Sequence, residues 1–298
     1  MDRFPDPKPG APAPGATSSG VHDQLRLANP AQVTADGLVA PRWGAGLALI
    51  GLVLVVALPL AGTLALVEVL PFGPPLVFAS LLLTWTAMLG VSIYASRRHG
   101  FRSLTRDFGL RFRWVDLAIG LGVGVAARII LAFLLAIITL LWPLEEGEVI
   151  QGNAEQFVTG DTVWLIVNGV LGGVLIAPFL EELFNRGLVL RGLQNALWLR
   201  RTGPKGQAVT PGVQRRSLMT STVIAVLASS LAFGLLHTGA VADLRSSIYL
   251  LLSTFVVGLV CGVLTVITRR LGAAIVTHIV FNGTGVGLLL LVPPEMLP

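Results

Sequence analysis

The chain has 298 residues, of which 54% are hydrophobic and only 12% charged, with a mean hydropathy of +0.79. A soluble domain of this length carries roughly twice that charged fraction, so composition excludes a soluble enzyme and predicts one polytopic membrane domain with a short tail. The net charge of +5 reports topology rather than a nucleic-acid partner, because the basic residues cluster in short loops between apolar runs.

Residues 1–40 interleave Pro5, Pro7, Pro9, Pro12 and Pro14 with Gly, Ala and Ser. They lack an apolar run that would offset the entropy of ordering, which predicts a disordered cytoplasmic tail. No basic segment runs directly into an apolar one, so a cleavable signal peptide is not expected. Residues 41–298 form the membrane domain. Seven apolar segments there are long enough to cross about 30 Å of hydrocarbon as helices, near 43–68, 75–96, 117–142, 162–186, 218–238, 246–267 and 271–292. The expected fold is an all-α transmembrane bundle. The fourth span continues as an amphipathic helix to about Leu199, where Leu188, Leu190, Leu193, Ala196 and Leu197 alternate with Arg191, Gln194 and Asn195.

Every second loop is basic. Arg97, Arg98, Arg102, Arg106, Arg111 and Arg113 follow span two; Arg200, Arg201, Lys205, Arg215 and Arg216 follow span four; Arg269 and Arg270 follow span six. The intervening loops carry Glu68, then Glu145, Glu146, Glu148 and Glu155, then Asp243 with Arg245. Basic loops face the cytoplasm, which places the N-terminus inside and the C-terminus outside. An excess of Arg over Lys, with abundant Ala, Gly and Val, points to a GC-rich bacterial genome, and the expected location is therefore a bacterial cell membrane. The single cysteine, Cys261, lies in an apolar span and rules out an intramolecular disulfide.

Charged groups within spans are expensive and mark function. The first polar group is Glu181-Glu182-x-x-x-Arg186. On a helix, Glu182 and Arg186 are four apart and pair, leaving Glu181 desolvated on an adjacent face and available to take a proton from water. Pro178 frees backbone carbonyls and opens space for water. The structural alternative is an ion cluster at a helix end. The second group is Phe233-x-x-x-His237, a ring and an imidazole on one face. The third is His278-x-x-x-Asn282, a pair that is either helix–helix polar glue or a set of donors for a developing oxyanion. Of the four histidines, His22 falls in the tail and His99 in a basic loop; the other two occupy these motifs. Arg128, near the centre of span three, is too deep to reach the interface easily; it pairs with a glutamate or receives a substrate carboxylate.

These three motifs, in this order on successive apolar helices, resemble the CAAX-protease and bacteriocin-processing (CPBP, or Abi) family of intramembrane endopeptidases. The resemblance spans about 160–285 and includes Gly187 after the arginine and Ala228-Ser229-Ser230 before Phe233. Two features depart from the pattern: Asn185 stands where the family has an aromatic residue, with Phe184 one earlier, and a basic insert near 200–216 separates the first two motifs. The resemblance implies proteolysis of membrane-associated proteins or peptides within the bilayer: prenylated CAAX proteins in eukaryotes, bacteriocin maturation or immunity and membrane-protein cleavage in bacteria.

Two chemistries fit the same residues. In one, Glu181 with His237 activates water while His278 and Asn282 bind the oxyanion, with Glu182, Arg186 and Phe233 in support and no cofactor. In the other, Glu181, His237 and His278 ligate zinc and leave a position for water, although no His-Glu-x-x-His pair is present. A non-catalytic scaffold and a proton-coupled transporter are the competing functions; the lack of an evident internal repeat weighs against the transporter. Simple span boundaries also create a conflict. They put Glu181 near the cytoplasmic end of span four and His237 roughly 30 Å along span five from its cytoplasmic start.

Overall fold

The computed structural model describes residues 43–146, 148–157, 160–202 and 211–291, with backbone alone for 199, 201, 202 and 211–215. The expected tail at 1–40 and the centre of the basic insert lie outside these residues. The described residues are helical and contain no strand. In chain order the helices are α1 (Ala45–Leu66), α2 (Pro74–His99), the short α3 (Leu104–Phe108) and α4 (Val115–Leu141). Next comes α5, an unbroken run of Thr162–Trp164, Leu165–Ile176, Ala177–Glu182, Leu183–Val189 and Leu190–Thr202. Then follow α6 (Pro211–His237), α7 (Leu244–Thr268) and α8 (Gly272–Leu289). Seven of these are long and apolar enough to cross a membrane. Their outer faces expose Leu49, Val53, Ile129, Phe133, Leu140 and Ile267, an apolar surface that water would not tolerate but lipid tails do.

The conflict over depth eases on two observations. Helix α5 continues past 186, as its amphipathic extension predicts, and runs through Thr202, so Glu181 lies at mid-helix. Helix α6 begins at Pro211, seven residues before the expected start. Leu190, Leu193 and Leu197 of α5 pack with Ala225 and Val226 of α6. This buried strip pairs the C-terminal part of α5 with α6, and its apolar positions on α5 are among those read as amphipathic. Arg191, at 4% exposure, reaches back to the carbonyl of Asp107, which docks α3 against the same part of α5.

The core is divided between two groups. Trp43, Val55, Trp85, Val91, Phe108, Phe184 and Leu188 join α1, α2, α3 and α5. Leu131, Phe233, Val257, Ala274 and Phe281 join α4, α6, α7 and α8. Helices α4 and α8 pack most extensively, and small residues permit it. A Cβ on Gly120 would come within 2.4 Å of Val276, and one on Gly124 within 2.8 Å of Val280 and 2.9 Å of the Thr277 carbonyl. Asp116 and Arg270 latch the basic-loop ends of these helices together, with N–O distances of 2.6–2.9 Å. Gly124→Leu is therefore expected to cost about 1–3 kcal/mol by overpacking. Gly122→Leu, at a position with nothing within 4 Å, is the control. Thermal unfolding in neutral detergent should separate the two.

Candidate active site

Helix α5 is not an ordinary α-helix. Residues Leu165–Ile176 and Leu183–Val189 are wound with bonds to the fifth preceding carbonyl, as in Ala177 N–H to Gly172 O and Leu190 N–H to Asn185 O. Such winding is rare and concentrates at functional sites. Pro178 would be the next donor in the first segment, to Gly173 O, but it has no N–H. The orphaned Gly173 carbonyl accepts instead from Asn282 Nδ2 of α8 at 2.9 Å. Pro178 therefore creates an acceptor that holds Asn282 in place.

The Ala177–Glu182 segment carries both glutamates. The Glu182 side chain is fully buried, whereas that of Glu181 is 14% exposed and reaches a cavity. Arg186 Nε lies 3.1 Å from Glu182 Oε2, the i,i+4 pairing expected from the spacing. Its Nη2 donates to Gly258 O at 3.1 Å, and its guanidinium stacks 4.8 Å from the Phe233 ring centre. Asn185, the departure from the family pattern, is buried and donates to the Glu181 carbonyl at 3.0 Å, so it supports the turn that carries the acid.

His278 joins the two acids. Its Nδ1 is 2.9 Å from Glu182 Oε1 and its Nε2 is 3.6 Å from Glu181 Oε2. A carboxylate oxygen without a proton only accepts, so Nδ1 carries the hydrogen and Nε2 turns to Glu181. His237 Nδ1 sits 2.7 Å from Phe233 O. A carbonyl also only accepts, which assigns that hydrogen to Nδ1 and leaves Nε2 open. Phe233 packs edge-on against both imidazoles, at 4.6 Å from His237 and 5.6 Å from His278.

Glu181, Phe233, His237, His278 and Asn282 line one cavity of about 410 Å³. Glu182 and Arg186 stand behind its wall. Arg128 lines it too, but no carboxylate pairs with it among the described residues. Its Nε donates to Thr284 Oγ1 at 3.3 Å and its Nη2 to Phe281 O, and the guanidinium lies 3.9 Å over the Phe281 ring. The zinc alternative needs Glu181, His237 and His278 gathered around one point. Among the described residues no three His, Cys, Asp or Glu side chains are placed to hold a metal ion. As placed, Glu181, His237 and His278 do not form such a group.

Sequence reasoning missed the cavity's outer wall, formed by residues 150–157. This loop is tied down by Gln151 N–H to Ser246 Oγ at 2.9 Å and by Ser246 N–H to Asp243 Oδ1 at 2.7 Å. The Ser246 amide holds the Asp243 carboxyl below its usual range. Burial pushes the Glu155 carboxyl up, partly offset by its bond from Gly152 N–H. A run of Gln, Asn and Glu between two spans reads as an ordinary loop, and nothing local marks it as part of a cavity wall.

Residues 162–284 match the family of type II CAAX prenyl endopeptidases, Rce1-like. This segment, under half of the chain, resembles that family. The matched segment contains all three motifs, though not Arg128, and the match supports a membrane protease of the CAAX-protease type. No curated protein and no solved structure matches the chain.

Proposed function

We propose that the protein is an intramembrane endopeptidase that cleaves membrane-associated proteins or peptides with a glutamate-activated water. One observation carries this reading: Glu181 Oε2 and His278 Nε2 face each other at 3.6 Å on the cavity wall, too far for a direct hydrogen bond. A water beside them donates to both. Glu181 takes its proton, and the oxygen attacks the scissile carbonyl carbon. Glu182 accepts from the far side of His278 and fixes its tautomer and direction. His278, rather than His237, thus shares the water with Glu181. Asn282 has a second N–H beyond the one bonded to Gly173, and this N–H is the donor to the oxyanion; His237 lines the same cavity beside it. Protonated Glu181 then returns its proton to the leaving amine. No step requires a metal. Comparing membrane-protein fragments from cells carrying wild type or Glu181→Gln tests the reading; identical fragment sets would sink it.

The same reading places the protein in a bacterial plasma membrane, with its substrate on the outer side. All loop residues that line the cavity come from 150–157 or Ala240, on the acidic side, and none from the arginine-rich loops. With basic loops inside, the mouth faces out. Cysteine substituted for the exposed Gln156 should react with an impermeant maleimide on intact cells, and cysteine at the exposed Arg106 should not. Native Cys261 is buried and gives no background. The reverse labelling pattern would invert the orientation.

A further inference from the structure

Arg128 is a cation at mid-helix in α4 with no ion-pair partner among the described residues, and it lines the same cavity as Glu181. Its contacts are a carbonyl, a hydroxyl and a ring, all on α8. A neutral donor would staple the two helices equally well, without the cost of a charge at this depth. The guanidinium has donors to spare: Nη1 bonds to no described residue and is not among the buried unpartnered atoms. Space is also kept for it, since a Cβ on Gly285 would stand 2.7 Å from Nη2.

We infer that Arg128 is the receptor for a carboxylate of the substrate, and so a specificity determinant; this rests on the endopeptidase reading above. An arginine fork suits a planar carboxylate and binds it with charge-assisted hydrogen bonds. Its anchors, Phe281 and Thr284, are three and six residues beyond His278 on α8, a rise of about 5–9 Å. An extended peptide advances about 3.3 Å per residue, so the carboxylate lies within a few residues of the bond facing Glu181. It is either the chain terminus or an Asp or Glu side chain.

Binding to full-length protein in nanodiscs of neutral lipid tests this without turnover, using the Glu181→Gln background. The probes are a fluorescein-tagged Leu/Ala decapeptide ending in a free carboxylate, the same peptide as its carboxamide, and the carboxamide with Asp at each of the last four positions in turn. The acid should bind at least about tenfold more tightly than the amide. Restoration by an internal Asp alone would identify the side chain as the source. Arg128→Gln should bring the acid-to-amide ratio near one, and Arg128→Lys should keep part of it. Gly285→Ala, which displaces the guanidinium while leaving its charge, should lower the ratio with little change in thermal stability. A helix staple would not move this ratio. Equal binding of all probes, a ratio unchanged in Arg128→Gln, or no saturable binding of any probe overturns the inference. A preserved acid preference with no Glu181-dependent cleavage by the wild type would instead overturn the protease reading and leave the carboxylate site standing.

Discussion

Purified Glu181→Gln protein should unfold at the wild-type temperature and cleave a peptide substrate about 10²- to 10⁴-fold more slowly, the range expected for loss of a positioned general base. Both halves of that result follow from geometry. The Glu181 side chain reaches the cavity, and its Oε2 accepts from no group among the described residues. Replacing the carboxylate with an isosteric amide therefore breaks no structural bond, and the backbone carbonyl that accepts from Asn185 is retained. The amide cannot take a proton from water, so the loss falls on kcat rather than on substrate affinity. Turnover of purified Glu181→Gln at the wild-type rate would rule out this residue as the base.

The parts legible in the sequence were those written in periodicity and spacing. Seven apolar runs gave seven spanning helices, and the four-residue intervals put Glu182 beside Arg186 and Phe233 beside His237. What stayed hidden depends on departures from regular α geometry and on contacts distant in sequence. Spacing could not show that α5 is wound differently on both sides of its glutamates. Nor could it show that Pro178 would orphan the carbonyl of Gly173, with the donor supplied by Asn282, 109 positions further along the chain. The order of the motifs equally left open which histidine faces which acid. Both histidines sit at the same interval from their neighbours, and only the packing of α8 against α5 brings His278, not His237, between the two carboxylates. Arg128 was legible as a charge at the wrong depth, but its partners on α8 were not.

The second large effect is expected behind the cavity wall. Glu182 and Arg186 are both fully buried, and each supplies the other's countercharge. Arg186→Ala leaves Glu182 as a buried carboxylate without its countercharge, and also removes the stack on Phe233 and the bond to Gly258. Breaking a buried pair from one side costs about 3–5 kcal/mol, a large share of the roughly 5–15 kcal/mol that separates a folded domain from its unfolded state. The expected result is a protein that unfolds far below the wild-type temperature. Replacing both partners with apolar residues of similar length, Glu182→Leu with Arg186→Met, removes the uncompensated charge, so much of the stability lost in Arg186→Ala should return. Activity should not return with it. In the double variant His278 Nδ1–H has lost the carboxylate that orients the ring toward Glu181, and catalysis depends on that orientation. A stable but inactive double variant would separate the structural work of this pair, which Leu and Met can replace, from the alignment of His278, which they cannot. Full activity in that variant would show that His278 needs no anchor, and an unfolding temperature unchanged in Arg186→Ala would show that the buried pair does not hold the bundle together.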